Sequence, residues 1–298
     1  MGSILDGILN IDKPAGRTSY SVVAMLKRLT GERRVGHAGT LDPAATGVLP
    51  VCLGQATRII EFFTDTTKTY RAVIELGIAT DTYDASGRIV QRGDPSKINR
   101  AILESALTSF RGAIRQTPPM YSAVKHQGRP LYKLARAGIT VERKPRPVTV
   151  HRLELVAWQP PSATLEIDCS KGTYIRSLAH DLGQALGCGA HLKNLIRTRY
   201  GIFNIKDSVS LPRLEEAFHS GYGENYLLPV DIALQDYNAI VVDYAAEAAI
   251  RNGSTVDISG SRNAGESCCR AYSQDGRFLG MLRYIPEKET WQPKKVLI

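Results

Sequence analysis

GHAGTLDPAATGVLPVCLGQATRI, residues Gly36 to Ile59, runs from a polar, glycine-bearing stretch into an apolar one. Asp42 sits at the seam and is the only acid in the segment. The plainest reading is structural. Asp accepts a backbone N–H as a helix N-cap, and Pro43 suits the first helical position, where its missing N–H is no loss. Ala44 and Ala45 favour helix, and Gly47 would end the turn. On that reading residues 36–41 form a flexible polar loop and Asp42 caps one short turn. What Asp42 does beyond that depends on the rest of the chain.

The chain has 298 residues, 43% of them hydrophobic, enough for one large domain with a small one attached. Lys and Arg number 38 against 29 Asp and Glu, a net charge of +9 that favours a polyanionic partner. Apolar runs such as Val48–Leu53 are strand-sized, so no membrane span is expected. No signal sequence or lipidation motif is evident, since Asp6 replaces the required Ser or Thr and no C-terminal Cys is present. Five scattered cysteines without a Cys-x-x-Cys pair suit a reducing cytosol. Cys188 and His191 have metal-like spacing but no second pair to complete a zinc site.

Residues 8–12 read as a strand. A helix capped by Thr18 or Ser19 follows, with Val22, Leu26 and Leu29 on one face and Gly31 at its end. Lys68–Leu76 reads as a strand, Ala79–Gly87 as a polar loop, and Ser96–Phe110 as an amphipathic helix. Between Lys125 and Arg152 stand eight Lys or Arg and one acid, Glu142, together with Tyr132 and several prolines. That mixture suits a mobile loop closing on a phosphate backbone. Val148–Trp158 and Ala163–Ser170 read as strands, and Thr173 as the cap of a helix bearing Ile175, Leu178, Leu182 and Leu186. Arg176 in its first turn opposes the helix dipole, which suggests a nearby carboxylate. Beyond about Asp236 a short helix, Ala245–Arg251, and several strand-sized pieces suggest a small β-rich module.

Nine stretches carry a resemblance: Asn10–Gly16 (NIDKPAG), Gly36–Pro43 (GHAGTLDP), Thr46–Pro50 (TGVLP), Lys68–Tyr70 (KTY), Thr80–Asp84 (TDTYD), Gln116–Pro119 (QTPP), Tyr121–Lys125 (YSAVK), Ser170–Arg176 (SKGTYIR) and Gly189–Leu192 (GAHL) with Leu195. In order and spacing, from about residue 8 to 232, the chain resembles the TruB family of tRNA pseudouridine synthases. The resemblance implies an α+β fold: a mixed, mostly antiparallel central sheet flanked by helices and loops. It also implies a small C-terminal PUA-like RNA-binding module, a looser match. Residues 1–236 would be the catalytic domain, with a basic thumb loop at 120–147, and residues 237–298 the module.

The implied reaction isomerises uridine to pseudouridine at position 55 in the T-loop of tRNA. Nothing is gained or lost, so no cofactor or metal is implied. Asp42 matches the family's catalytic aspartate, a nucleophile or base at the ribose or uracil, and Arg176 its partner, which would lower its pKa against the effect of burial. Tyr70 matches the residue stacking on the flipped base, and His37 the one filling the vacated space. Asp84 matches a polar contact to the base, and Leu195 an apolar pocket wall. Arg58 matches a base able to touch phosphate. Read without the family, these are a core tyrosine, a surface loop histidine, an Asx-turn aspartate, a helix-packing leucine and a solvated helix arginine. The implied partner is tRNA, met by a cytoplasmic monomer with no membrane and no obligatory protein partner. The alternatives are an RNA-folding chaperone with weak or no catalysis, an H/ACA-guided synthase, and an Asp-nucleophile hydrolase. For the last, Asp81 and Asp84 make a thin acidic cluster.

Overall fold

The computed structural model describes residues 5–258 and 267–297. Its centre is a ten-stranded mixed sheet. Along the main path the order is Val209–Ser210, Gly7–Lys13, Thr46–Leu53, Ala190–Tyr200, Lys68–Leu76, Ser162–Cys169, Arg146–Gln159 and Gly112–Gln116. Val35–His37 and Phe203–Asn204 pair off this path. Only the contacts of Val209–Ser210 with Gly7–Lys13 and of Ala190–Tyr200 with Thr46–Leu53 are parallel. The α+β fold expected from the sequence is the one observed.

Alternation sets the two faces. In Ser162–Cys169, Ala163, Leu165, Ile167 and Cys169 are buried, while the residues between them are half-buried. These inward chains meet Val22 and Leu26 of the Ser19–Thr30 helix and Leu178 and Leu182 of the Ile175–Ala185 helix in one large core. On the outward face Arg152 pairs with Glu154 on its own strand and with Glu166 and Asp168 on the neighbouring one. Thr46–Leu53 is buried almost throughout, as befits a central strand covered on both sides.

Several local readings need correction. Asp42 caps no helix: Asp42–Ala45 is a single β-turn closed by the Ala45 amide on the Asp42 carbonyl at 3.1 Å. Gly47 does not stop a turn but lies inside the Thr46–Leu53 strand. There its φ of +98° and a would-be Cβ only 2.3 Å from the Arg197 carbonyl oxygen admit glycine alone. The supposedly flexible loop opens with the Val35–His37 strand. The helix expected over 96–110 begins at Arg100, because the Asn99 side chain accepts from the Ile102 amide, and its last turn, from Thr108, is 3-10. Thr173 does not cap the Ile175–Ala185 helix, since its hydroxyl donates to the Ser170 carbonyl. The Gln116 side chain instead accepts from the Tyr174 amide at 2.7 Å and donates to the Tyr174 carbonyl at 2.9 Å.

The basic segment 120–147 is not simply a loop. A two-strand ribbon, Lys125–His126 with Arg129–Pro130, leads into the Leu131–Arg136 helix, and Met120, Leu131 and Leu134 form a small core of their own. From Ala239 a separate four-stranded sheet, packed by the Tyr244–Arg251 helix, surrounds Trp291, Leu279 and Leu282. It joins the main body through Arg58 donating to the Val296 carbonyl, Lys294 and Lys295 paired with Glu61, and the Tyr237 hydroxyl on the Phe62 carbonyl.

Candidate active site

The turn that carries Asp42 is gripped by its backbone. The Ser19 hydroxyl takes the Leu41 amide at 2.9 Å and lies 3.2 Å from the Leu41 carbonyl oxygen. The Gly16 amide donates to the Pro43 carbonyl at 2.9 Å. Lys13, fully buried, donates to the carbonyls of Pro14, Arg17 and Pro43. The carboxylate is thereby left free of its own backbone, and it meets Arg176.

Arg176 is 5% exposed. Its Nε lies 2.9 Å from Asp42 Oδ2 and its Nη2 donates to Asp42 Oδ1 at 3.1 Å, a two-pronged contact that fixes the carboxylate plane. Nη2 also donates to the Tyr121 carbonyl at 2.9 Å, and Nη1 lies 3.9 Å from Asp84 Oδ2. The cation at the helix start thus faces two carboxylates. Asp84 Oδ1 accepts from Thr82 Oγ1, from the Ser86 amide and from Ser86 Oγ, so Asp84 is at once an Asx-turn residue and a neighbour of Arg176.

Asp42, Asp84, Arg176 and Leu195 line one small, open pocket of about 40 Å³, together with Ala44, Ala45 and Leu192. Leu195 is buried on the Ala190–Tyr200 strand, not on a helix. A bulge between Leu192 and Asn194 lies just before it. Burial pushes the Asp42 carboxyl above the usual aspartate range. Arg176 pulls it down, Asp84 pushes it up and Lys13 pulls it down, and burial prevails. The sequence reading gave Arg176 the lowering role, which it has without winning. A carboxylate so held is a stronger base than a solvated aspartate.

The other candidates divide. Tyr70 is a buried chain of the Lys68–Leu76 strand, its phenol driven up by burial and eased by a hydrogen bond from Arg197. His37 ends a strand, half-buried, with Nδ1 lacking a partner among the described residues; burial and then Arg197 lower its pKa. Neither His37 nor Tyr70 lines the Asp42 pocket. Arg58 is exposed on the Gly54–Ile59 3-10 turn and bound to the Val296 carbonyl, outside the pocket.

Sequence reasoning passed over Lys13, Ser19, Gln116 and Arg197. Burial drives Lys13 down to about 8. Arg197, 1% exposed, donates to the carbonyls of Val48 and Gly39 and so ties the glycine stretch to its strand. Lys13 lies in the NIDKPAG stretch, where a cation inside an apolar strand was the available signal. A larger cavity of about 650 Å³ lies between Phe63, Tyr200 and Tyr237. Its Asp65 is paired with the exposed Lys171, and among the described residues no two acids pair with one cation there.

The chain is similar to known proteins along nearly its whole length. Residues 27–175 match the model of the TruB family pseudouridylate synthase N-terminal domain, and residues 176–235 that of the tRNA pseudouridylate synthase B C-terminal domain. The tRNA pseudouridine synthase B of Dehalococcoides mccartyi is 45% identical over 295 residues, covering 99% of this chain and 97% of that protein. That of Syntrophotalea carbinolica is 49% identical over 238 residues, covering 80% and 78%. Among solved structures, a Cbf5–Nop10–Gar1 complex matches with a TM-score of 0.78 at 26% identity, over 99% of this chain and 86% of that one. With 45% identity along nearly its whole length, the chain belongs to the TruB family of pseudouridine synthases and is an isomerase.

Proposed function

We propose that this enzyme isomerises uridine 55 in the T-loop of tRNA, with Asp42 as the nucleophile. The observation that carries the reading is the Asp42 carboxylate, free of backbone donors and held at both oxygens by Arg176 beside a small pocket. The bond between uracil N1 and ribose C1′ breaks while Asp42 stabilises the released partner by attack at the ribose or the uracil. The uracil turns, C5 bonds to C1′, the bond to Asp42 breaks, the C5 proton leaves and N1 takes one up. Atoms and electrons balance without a redox partner.

A base stacked in a loop is out of reach, so the enzyme flips it at a cost of a few kcal/mol. His37 fills the space left behind, Tyr70 stacks on the base and assists loss of the C5 proton, and Asp84 and Leu195 contact the base. Arg58 reaches phosphate. The basic segment 120–147 closes on the T-arm as a thumb, and residues 237–298 form a PUA-like RNA-binding module beside a catalytic domain spanning 1–236. Relatives at 45–49% identity are named tRNA pseudouridine synthase B, which supports tRNA over a guided substrate. The likeness to an H/ACA assembly bound to substrate RNA is at 24% identity.

The test is tritium release from C5-labelled uridine in a tRNA transcript by wild type and Asp42→Asn. Release by wild type, with at least a ~10⁴-fold loss in Asp42→Asn and tRNA affinity retained, is expected. Tight binding by both without release would favour an RNA-folding role or a guided substrate.

A further inference from the structure

Beside the pocket, Tyr83 has a φ of +66°, a left-handed conformation that aromatic residues seldom adopt. Such a backbone persists only where its surroundings over-determine it. Here they do. The Tyr83 amide donates to the Thr80 carbonyl at 3.2 Å, and its carbonyl accepts from the Leu192 amide at 2.9 Å. Its ring stacks on the His180 imidazole, with centroids 3.9 Å apart and planes 14° from parallel.

The position of His180 gives the stack a purpose. It lies four residues after Arg176 on the Ile175–Ala185 helix, so imidazole and guanidinium share one face, a turn apart. They meet consecutive residues: His180 holds Tyr83, and Arg176 faces Asp84. The Nδ1 atom of His180 is buried with no partner among the described residues, so the ring contributes its face rather than that nitrogen. Beyond Asp84, the Ala85 amide bonds to the Leu192 carbonyl, which leaves the turn little freedom.

We infer that Tyr83 and His180 are a positioning pair: their stack orients the 82–84 turn so that the second oxygen of Asp84 faces Arg176 while that arginine holds Asp42. The inference rests on the reading that Asp84 and Arg176 serve Asp42. Asp84 has three donors on one oxygen, but those donors come from its own turn and move with it. The stack is what relates the turn to the helix.

Single-turnover pseudouridine formation and tRNA affinity test the pair in Tyr83→Gly, His180→Ala, Tyr83→Phe, His180→Phe, Asp84→Asn and the Tyr83→Gly/Asp84→Asn double variant. Glycine relieves the backbone, so Tyr83→Gly should melt no lower than Tyr83→Phe while losing the ring. Tyr83→Gly and His180→Ala are expected to slow the single-turnover rate about tenfold with tRNA affinity within about twofold. The two phenylalanine variants keep a stack and stay within about twofold of wild type. In the Asp84→Asn background Tyr83→Gly adds less than about twofold, because both act through one contact. Tyr83→Gly at the wild-type rate, a full additional loss in the double variant, or phenylalanine variants as slow as the glycine one would overturn the pair. Asp84→Asn at the wild-type rate would overturn it by removing the reading beneath it, a result distinct from the others.

Discussion

Two buried cations act on Asp42, and they are held differently. Arg176 binds the two carboxylate oxygens and one carbonyl. Lys13 binds three carbonyls and, among the described residues, no anion. Arg176 therefore addresses the Asp42 carboxylate, while Lys13 addresses the turn on which it stands. The cost of burial follows the same division. Lys13, with only neutral acceptors in contact, is driven down to about 8, its charge supported at longer range by Asp42. One cation orients charge, and the other holds shape.

Substitutions sharpen this contrast. The largest effect is expected at Arg176. Arg176→Lys keeps the charge but not the fork, and should lower the single-turnover rate by roughly 10²-fold with little change in tRNA affinity. If lysine serves as well as arginine, the two-pronged geometry is irrelevant. Lys13→Met should act first on stability. It leaves buried carbonyls without a donor, and a loss of about 1–3 kcal/mol in urea unfolding is expected, with a smaller loss of rate than in Arg176→Lys. Equal losses of rate in both would erase the distinction.

Smaller effects concern pH. In the proposed reaction Asp42 acts ionised, and its pKa is raised, so the acid limb of activity should lie above the usual aspartate range. Asp84 contributes to that elevation, so in Asp84→Asn the limb should move to lower pH, whatever happens to the rate. On the alkaline side, Lys13 loses its proton as pH rises through about 8. A neutral amine has two donors for three carbonyls, and its help to Asp42 ionisation is gone. A decline of roughly twofold to fivefold above that pH is expected, absent in Lys13→Met.

Legibility in the sequence tracked contact distance. The Lys68–Leu76 strand was readable to the residue, because β-branched and aromatic chains mark it locally. The Ser19–Thr30 helix was readable from its Thr18 cap and Gly31 stop. Arg176 drew notice because a cation opposes the dipole at a helix start, yet its partner lies 134 residues away and came from the family resemblance alone. The cap of that same helix was misread. Thr173 has the right chemistry, but Gln116, 58 residues earlier, reaches the Tyr174 amide instead. Lys13 and Arg197 left no periodic signal, since each answers to backbone carbonyls, Lys13 to those of Pro14, Arg17 and Pro43 and Arg197 to those of Gly39 and Val48. Local rules speak for elements, and the site is assembled from long-range bonds between them.

The grip of Arg176 on the Tyr121 carbonyl has a consequence for how such a site is studied. A carbonyl belongs to every residue type, so replacing the side chain at 121 leaves the bond available. The same is true of Pro14, Arg17 and Pro43 around Lys13. An alanine scan would pass over these attachments, and sequence drift at residues 17 and 121 need not disturb them. Exchanging the peptide bond after residue 121 for an ester, which turns that carbonyl into a weaker acceptor, would reach what side-chain chemistry misses.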